Sequence, residues 1–469
     1  MTYAFTFDAK FCSGCKACQA ACKDKNNLPV GVLWRRVYEI SGGTWQKAGD
    51  AWTNSVFAYN LSMSCNHCEH PKCAGVCPVN AYSIREGGIV FLDTTKCMGC
   101  GYCAWACPYG APQYNHEAGH MTKCDFCLDQ IEQGLSPACV AACPMRVLDC
   151  TETHTHSTTT ALWNLPGAGH PFPLPAYSRT EPHLAIQPHP AMSKLDKTVA
   201  NLEEIQPRIP TAWEEAPLVL FTLLGQLAVG GFWAMSMLFP PFWTSAERLP
   251  ASLRLVPFLV IGLSLGTALF TSFAHLGTRK NAWRALTRLS HSWLSREILF
   301  AGLFGLGWLA SAAEGLLFER TTTEIVGITS ALGLGLVHSM AQVYRLRSAP
   351  GWDSPRTNAG FLVTAALMGS ALMTPLLAHQ SEAAGIQVPY SLSLFSAIGL
   401  LVLLSIQIIL GSWQKQSSPL RLGLILLGMA LTVAGAIRYN AWFGIFLFIV
   451  VVAEEFMGRW RFYQSRLQG

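Results

Sequence analysis

Cys97-Met98-Gly99-Cys100-Gly101-Tyr102-Cys103-Ala104-Trp105-Ala106-Cys107-Pro108 packs four cysteines into eleven residues, separated by two, two and three others. The run Cys12, Cys15, Cys18, Cys22 repeats that spacing. Two further runs keep both flanks and lengthen the middle gap. It grows to four residues in Cys65, Cys68, Cys73, Cys77 and to eleven in Cys124, Cys127, Cys139, Cys143, where Gly134, Ser136 and Pro137 mark a turn. Sixteen of the seventeen cysteines fall in these four runs, Cys150 follows them, and residues 151–469 contain none.

Such density decides the chemistry. Three close thiolates followed by a fourth, with Cys-Pro at Cys77-Pro78, Cys107-Pro108 and Cys143-Pro144, is the ligand pattern of bacterial ferredoxins, whose fourth cysteine serves the other cluster of a pair. Four runs predict two such pairs, hence four [4Fe-4S] clusters. A zinc site needs only four ligands in two separated pairs, too few for these runs. A disulfide framework requires an oxidising compartment, and Met1 to Lys10 offers no charged-then-apolar leader. Short β-type stretches, Ser55 to Leu61 and Gly88 to Leu92, alternate with the ligand loops. Residues 1–150 therefore read as a doubled, α+β ferredoxin-like domain whose clusters supply much of its folding stability. Cys150 reads as an inert thiol.

Composition shifts sharply after that domain. Charged residues are only 13% of the whole chain, against roughly 25% in ordinary soluble proteins, and hydrophobic residues reach 51%. The net charge of +5 comes without a basic run interleaved with aromatics, so nucleic-acid binding has little support. Residues 151–212, rich in proline, threonine and histidine, read as an extended strap, and its histidines (His154, His156, His170, His183, His189) as solvated rather than metal-binding. Residues 213–469 hold eight apolar spans, approximately 217–239, 255–274, 298–317, 325–343, 360–378, 392–410, 420–437 and 441–455, each near the ~20 residues a membrane helix needs. They predict an all-α eight-helix transmembrane bundle in the lipid bilayer. Thirteen Lys and Arg lie in the connections on the N-terminal side, against Arg248, Arg254, Arg320 and Arg438 on the other. The positive-inside rule then puts the cysteine domain on the cytoplasmic side of a bacterial inner (cytoplasmic) membrane.

The motifs resemble two usually separate subunits of the dimethyl sulfoxide reductase (molybdopterin oxidoreductase) family. The third run and Ala106-Cys107-Pro108-Tyr109-Gly110-Ala111-Pro112-Gln113 are similar to the four-cluster iron–sulfur subunit. Ala216-Pro217-Leu218-Val219-Leu220-Phe221-Thr222-Leu223, His275-Leu276-Gly277, Ala282-Trp283-Arg284-Ala285-Leu286 and Ser292-Trp293-Leu294-Ser295-Arg296-Glu297-Ile298 are similar to the eight-helix membrane anchor. The resemblance implies a fusion of the two. It implies ligand sets with exchanged fourth cysteines: Cys12, Cys15, Cys18 with Cys143; Cys124, Cys127, Cys139 with Cys22; Cys65, Cys68, Cys73 with Cys107; and Cys97, Cys100, Cys103 with Cys77. Because Cys100 is present, the last set is expected to hold four iron atoms rather than three.

The resemblance further implies a molybdopterin catalytic subunit as partner, since no segment here is large enough for that domain, and menaquinone or ubiquinone from the membrane quinone pool as bound substrate. Quinol oxidation releases two protons with two electrons and needs a titratable group beside the ring. His275, at the end of the second span, and Glu297, at the start of the third, match the anchor's quinol-binding positions. Ionisable groups at a membrane boundary point the same way. The function read from all this is quinol oxidation with electrons passed to an S- or N-oxide. Rival readings are a sulfite dehydrogenase-like complex passing electrons from sulfite to quinone and a stand-alone quinone-linked carrier without molybdenum. His338 and Glu314, deep in apolar spans, read either as a proton relay or as interhelical bonding.

Overall fold

The computed structural model describes residues 2–153, 180–191, 215–238, 251–318, 322–383, 390–413, 418–437 and 441–467. Two compact units emerge: residues 1–208 with 276–291, and residues 209–275 with 292–469.

The first unit is held by its ends. Strand β1 (Thr2–Asp8) alternates so that Phe5 and Phe7 point into the core, at 1% and 3% exposure. It pairs antiparallel with β10 (Leu148–Thr153), Phe7 opposite Leu148, and parallel with β11 (Leu184–Gln187). Between them run four two-stranded ribbons: β2 (Arg36–Gly42) with β5 (Phe57–Met63), β3 (Trp45–Ala48) with β4 (Ala51–Asn54), β6 (Tyr82–Ile84) with β7 (Val90–Leu92), and β8 (Gln113–Asn115) with β9 (His120–Thr122). Phe5 stacks on Phe126 at 4.2 Å, and Ile40, Leu61 and Ile89 complete a core into which the cysteines are packed.

The described part of the strap corrects the reading of its histidines. β11 closes an edge of β1 that would otherwise present unpaired backbone groups to water. With that segment folded in, His183 is buried and its Nε2 lies 3.3 Å from Glu69 Oε2, while His189 stacks on Tyr59 at 5.3 Å. His154, His156 and His170 lie outside the described residues.

Short helices carry the third cysteine of each run: α1 (Ala17–Lys25), α2 (Lys72–Val76), α3 (Tyr102–Ala106) and α5 (Ala138–Ala141), with α4 (Leu128–Ile131) after the second cysteine of the last run. α1 packs on α5 and α2 on α3. The runs are thus paired first with fourth and second with third, and Lys25 at the end of α1 forms an ion pair with Asp129 in the fourth run.

The second unit is all helix: α6 (Ala216–Leu238), α7 (Ala251–Ala274), α8 (Trp293–Leu317), α9 (Thr323–Tyr344), α10 (Pro355–Ala383), α11 (Tyr390–Trp413), α12 (Pro419–Ile437) and α13 (Ala441–Gln464). The first seven contain described spans of 18–26 residues long and apolar enough to cross a bilayer. α13 matches them in length but carries Glu454, Glu455 and Arg459 in its second half. Those charges are met inside the bundle. Arg421 Nε donates to Glu454 Oε1 at 2.6 Å, Gln407 and Thr364 donate to Glu455, and Arg459 Nη2 donates to Gln226 Oε1 at 2.8 Å.

α6 is the central helix, with 78% of its apolar span buried, and it packs chiefly on α7 and α10. Where α6 meets α10 the backbones touch: a Cβ added at Gly230 would run into the Ala365 carbonyl, and one at Gly369 into the backbone of Gly230. Small residues allow such approach between membrane helices. Gly369→Leu should therefore wedge α6 from α10 and destabilise the bundle by on the order of 2–3 kcal/mol, read as a lowered midpoint in detergent unfolding of the helical unit.

Candidate functional site

Each cysteine run places the second residue between its first two thiols in the left-handed region: Gly14 at φ +69°, His67 at +42°, Gly99 at +74° and Phe126 at +66°. That turn lets backbone amides point at sulfur. Gly99 N–H donates to Cys97 Sγ and Phe126 N–H to Cys124 Sγ, each at 3.4 Å, and Ala81 N–H reaches Cys77 Sγ at the same distance. His67 and Phe126 adopt the same backbone against their steric preference, held by burial at 1% exposure each and by an edge contact between their rings at 5.2 Å.

The folding brings thiols of the first run beside those of the fourth, and thiols of the second beside those of the third. Cys12, Cys15, Cys18 and Cys143 line one hollow, and Cys65, Cys68, Cys73 and Cys107 another. Cys139 and Cys127 are close charge neighbours of Cys22, and Cys22 and Cys139 of Cys124. Cys77 and Cys97 stand in the same relation to Cys100, and Cys100 and Cys77 to Cys103.

Among the described residues, no three His, Cys, Asp or Glu side chains converge closely enough for a single metal ion. Four thiols around a hollow fit a cluster's donor set better than a zinc point. Burial raises the free thiols well above their ordinary range, Cys22 and Cys100 to about 12 and Cys107 to about 11. Coordinated iron would hold them as thiolates.

Two buried cations stand among these thiols, and sequence reasoning singled out neither. Arg35, 2% exposed, faces Cys139, Cys124, Cys18 and Cys22, donates to Ser62 and Ser64, and lies 4.4 Å over the Phe5 ring. Lys123, 3% exposed, faces Cys65, Cys73 and Cys124 and donates to the Val90 and Cys124 carbonyls. Desolvation opposes the charge of each, and the neighbouring thiols outweigh it. These cations offset anionic sulfur in a dry core, where unpaired charge is costly. The only hint in the sequence was a basic residue directly before Cys124.

Residues 276–291, read from the sequence as one connection of the helical region, pack instead with the cysteine unit. The Asn281 side-chain amide donates to the carbonyls of Thr95 and Cys97 at 2.8 and 2.9 Å. Thr278 N–H donates to Met98 O, and its hydroxyl to Gly119 O, both at 3.1 Å. Gly277 lies against Gly119 and Gly99 so closely that no side chain fits there. Arg288 donates to Asn80 Oδ1 at 2.8 Å. The segment is thus bonded to the third ligand loop.

His275 and Glu297, which flank that segment, belong to the helical unit and sit at one end of the bundle, after the end of α7 and in the first turns of α8. His275 is half-buried. Its Nδ1–H donates to Ser272 O at 2.8 Å, which leaves Nε2 as the nitrogen able to accept a proton. Glu297 is 3% exposed, and among the described residues none donates a hydrogen bond to its carboxyl, His275 included. Glu297 shares its end of the bundle with a bonded hydroxyl pair, Tyr344 OH and Tyr463 OH, that feels its charge.

The deeper ionisable residues have structural partners. Glu314 accepts from Thr322 N–H and Oγ1–H at 2.9 and 3.2 Å and so caps the start of α9. His338 is exposed on α9, edge-on to Trp293 at 5.7 Å and 3.5 Å from Gln342 Nε2.

Comparison with known proteins matches both parts of the sequence. A family model described as DMSO reductase anchor subunit (DmsC) matches residues 209–418, and one described as 4Fe-4S dicluster domain matches residues 56–153. A polypeptide of the anaerobic dimethyl sulfoxide reductase of Escherichia coli (strain K12) is 46% identical over 191 residues, 40% of this protein and 89% of that one. The probable anaerobic dimethyl sulfoxide reductase polypeptide YnfG of the same strain is 44% identical over 210 residues, 43% of this protein and 98% of that one. A polypeptide of the tetrathionate reductase of Salmonella typhimurium is 41% identical over 143 residues, 30% of this protein and 54% of that one.

Proposed function

The protein belongs to the dimethyl sulfoxide reductase family, as an electron-transfer iron–sulfur subunit continuous with its membrane anchor, and on that basis we propose that it links the membrane quinone pool to a separate molybdopterin catalytic subunit. Four [4Fe-4S] clusters held by the exchanged thiol sets would each supply one-electron transfer. His275 and Glu297 accept the protons of a quinol, menaquinol or ubiquinol, and the Lys and Arg asymmetry favours the cytoplasmic face of a bacterial inner membrane for the cysteine unit. In the dimethyl sulfoxide reductase-like direction, the electrons leave toward an S- or N-oxide handled by the partner. α13 completes the crossing as an eighth span, its charges satisfied within the bundle.

One observation carries this reading. Residues 276–291, which follow His275 and end two residues before α8, are hydrogen-bonded to the Cys97–Cys103 loop through Asn281 and Thr278. On this reading the residues proposed to handle quinol lie at the two ends of that segment in the sequence, and the cluster of Cys97, Cys100, Cys103 and Cys77 is the one that exchanges electrons with quinone. Asn281→Ala removes two hydrogen bonds to that loop. It should slow quinol-driven cluster reduction roughly tenfold or more, because transfer is sensitive to small displacements. Reduction by dithionite, measured on the same membranes, should be unchanged.

The wider assignment is tested on the complex extracted from native membranes in mild detergent. A large co-purifying polypeptide with molybdenum, and iron near sixteen atoms per copy of this protein, four for each thiol set, is the expected result. Iron at that level with neither molybdenum nor a large partner would replace it with a stand-alone quinone-linked carrier.

A further inference from the structure

A carboxyl buried as completely as Glu297 can take a proton from a quinol only if that proton can leave again. The helical unit offers a path of hydroxyls. Tyr344, the last residue of α9, and Tyr463, near the end of α13, are 3% and 4% exposed, and their hydroxyl groups are bonded to each other. The pair feels the Glu297 charge, and Tyr463 also feels that of Glu215. Glu215 directly precedes α6 at the same end of the bundle and is half-buried. Two helix ends and two helix starts thus place a buried carboxyl, two bonded hydroxyls and a half-buried carboxyl at one end of the bundle.

The surroundings favour transfer along this line over leakage. Trp352, Phe361 and Phe462 wall the Tyr344 ring at centroid distances of 5.5, 5.6 and 5.6 Å, and Trp352 and Phe361 are 1% and 2% exposed. Water has little access through such a wall. Arg459 contributes a permanent positive charge beside the pair. Its guanidinium lies 3.8 Å over the Phe361 ring and is bonded to Gln226. A guanidinium does not give up its proton, so Arg459 can stabilise a transient tyrosinate without becoming a carrier.

We propose that the Tyr344–Tyr463 hydroxyl pair is the proton path between the quinone-side carboxyl of Glu297 and the outward carboxyl of Glu215. The proposal rests on the quinone-site reading of Glu297. Glu297, having taken a quinol proton, passes it to the paired hydroxyls. One O–H bond forms and one breaks at each oxygen, and the proton that leaves the pair is taken by the Glu215 carboxylate and then by solvent. Rotation of the two hydroxyls resets the path. One proton moves and no electron does, the electrons having gone from quinol to the protein's redox centres. Quinone reduction would run the same path backward.

The test uses the full-length protein in its complex, in membrane vesicles, with reduced menadione as the quinol and cluster reduction followed optically. Tyr463→Phe and Tyr344→Phe, which keep the rings and their packing, should lower the maximal rate about tenfold or more, as loss of a positioned proton carrier does. The KM for quinol should hold, the solvent deuterium isotope effect should rise, and the dithionite rate should stay the same. Glu215→Gln should show the same loss and be rescued by added imidazole, which a purely structural role would not allow. Wild-type rates with an unchanged isotope effect in both phenylalanine variants would show that the hydroxyls only pin α9 to α13, and the proposal would fall. Glu297→Gln separates the two readings. If that variant is inactive while the tyrosine variants are normal, the relay fails and the quinone site stands; if it is fully active, the quinone-site reading itself fails.

Discussion

Cys77→Ser should remove the cluster proposed for the third run and spare that proposed for the second, although Cys77 closes the second run in sequence. The expectation follows from the packing. Cys77 neighbours Cys97, and both Cys100 and Cys103 have Cys77 beside them, while Cys68 and Cys73 have Cys107 in the corresponding place. Losing one ligand of four should convert or abolish one cluster and remove up to about a quarter of the bound iron. In low-temperature electron paramagnetic resonance of dithionite-reduced membranes, Cys77→Ser and Cys100→Ser should alter the same signal and leave the rest. Cys107→Ser and Cys68→Ser should share a different one. Quinol-driven reduction should collapse in the first pair, because theirs is the loop to which residues 276–291 are bonded. If Cys77→Ser matched Cys68→Ser instead, the exchange of fourth cysteines would be wrong.

The second large effect belongs to the two residues proposed to handle quinol. His275→Ala and Glu297→Gln should each lower quinol-driven cluster reduction by roughly 10²–10⁴-fold, the range by which positioned acid–base groups accelerate proton transfer. Dithionite, which needs no proton acceptor in the bundle, should reduce the clusters at the normal rate. The substitutions differ in what they leave behind. Glutamine keeps the volume at a site 3% exposed, so a fall in maximal rate with unchanged quinol affinity identifies Glu297 as the proton acceptor. Alanine at 275 also removes the imidazole from beside Ser272, so affinity is expected to weaken as well. A His275→Ala protein reduced by quinol at the normal rate would overturn its assignment.

The tetrathionate reductase relative, matched over 54% of its own length, is named for a substrate different from that of the dimethyl sulfoxide reductase relatives. Substrate choice, on the reading proposed here, therefore lies with the catalytic partner. What this protein contributes, on that reading, is a set of redox centres, a membrane anchor and the proposed place where protons and electrons part.

Cysteine spacing and hydropathy are local properties, and they carried the ligand runs, the α+β ferredoxin-like class and the long apolar helices without help from three dimensions. Local spacing could not choose partners. The first and third runs share a spacing, yet the first packs with the fourth and the second with the third, because α1 meets α5 and α2 meets α3. Nor could it find Arg35 and Lys123, whose importance comes from burial among thiols brought together from separate runs. Folding took His183 out of solvent because an open edge of β1 needed a partner, a demand made by a strand far earlier in the sequence. Folding likewise moved residues 276–291 from the helical region to the cysteine unit through hydrogen bonds from Asn281 and Thr278, two residues with no distinctive local signal. Sequence alone determined which atoms can bind iron and which segments prefer lipid, because each depends on neighbours a few residues away. Tertiary structure decided which thiols meet and which charges are buried, because these depend on contacts across the fold.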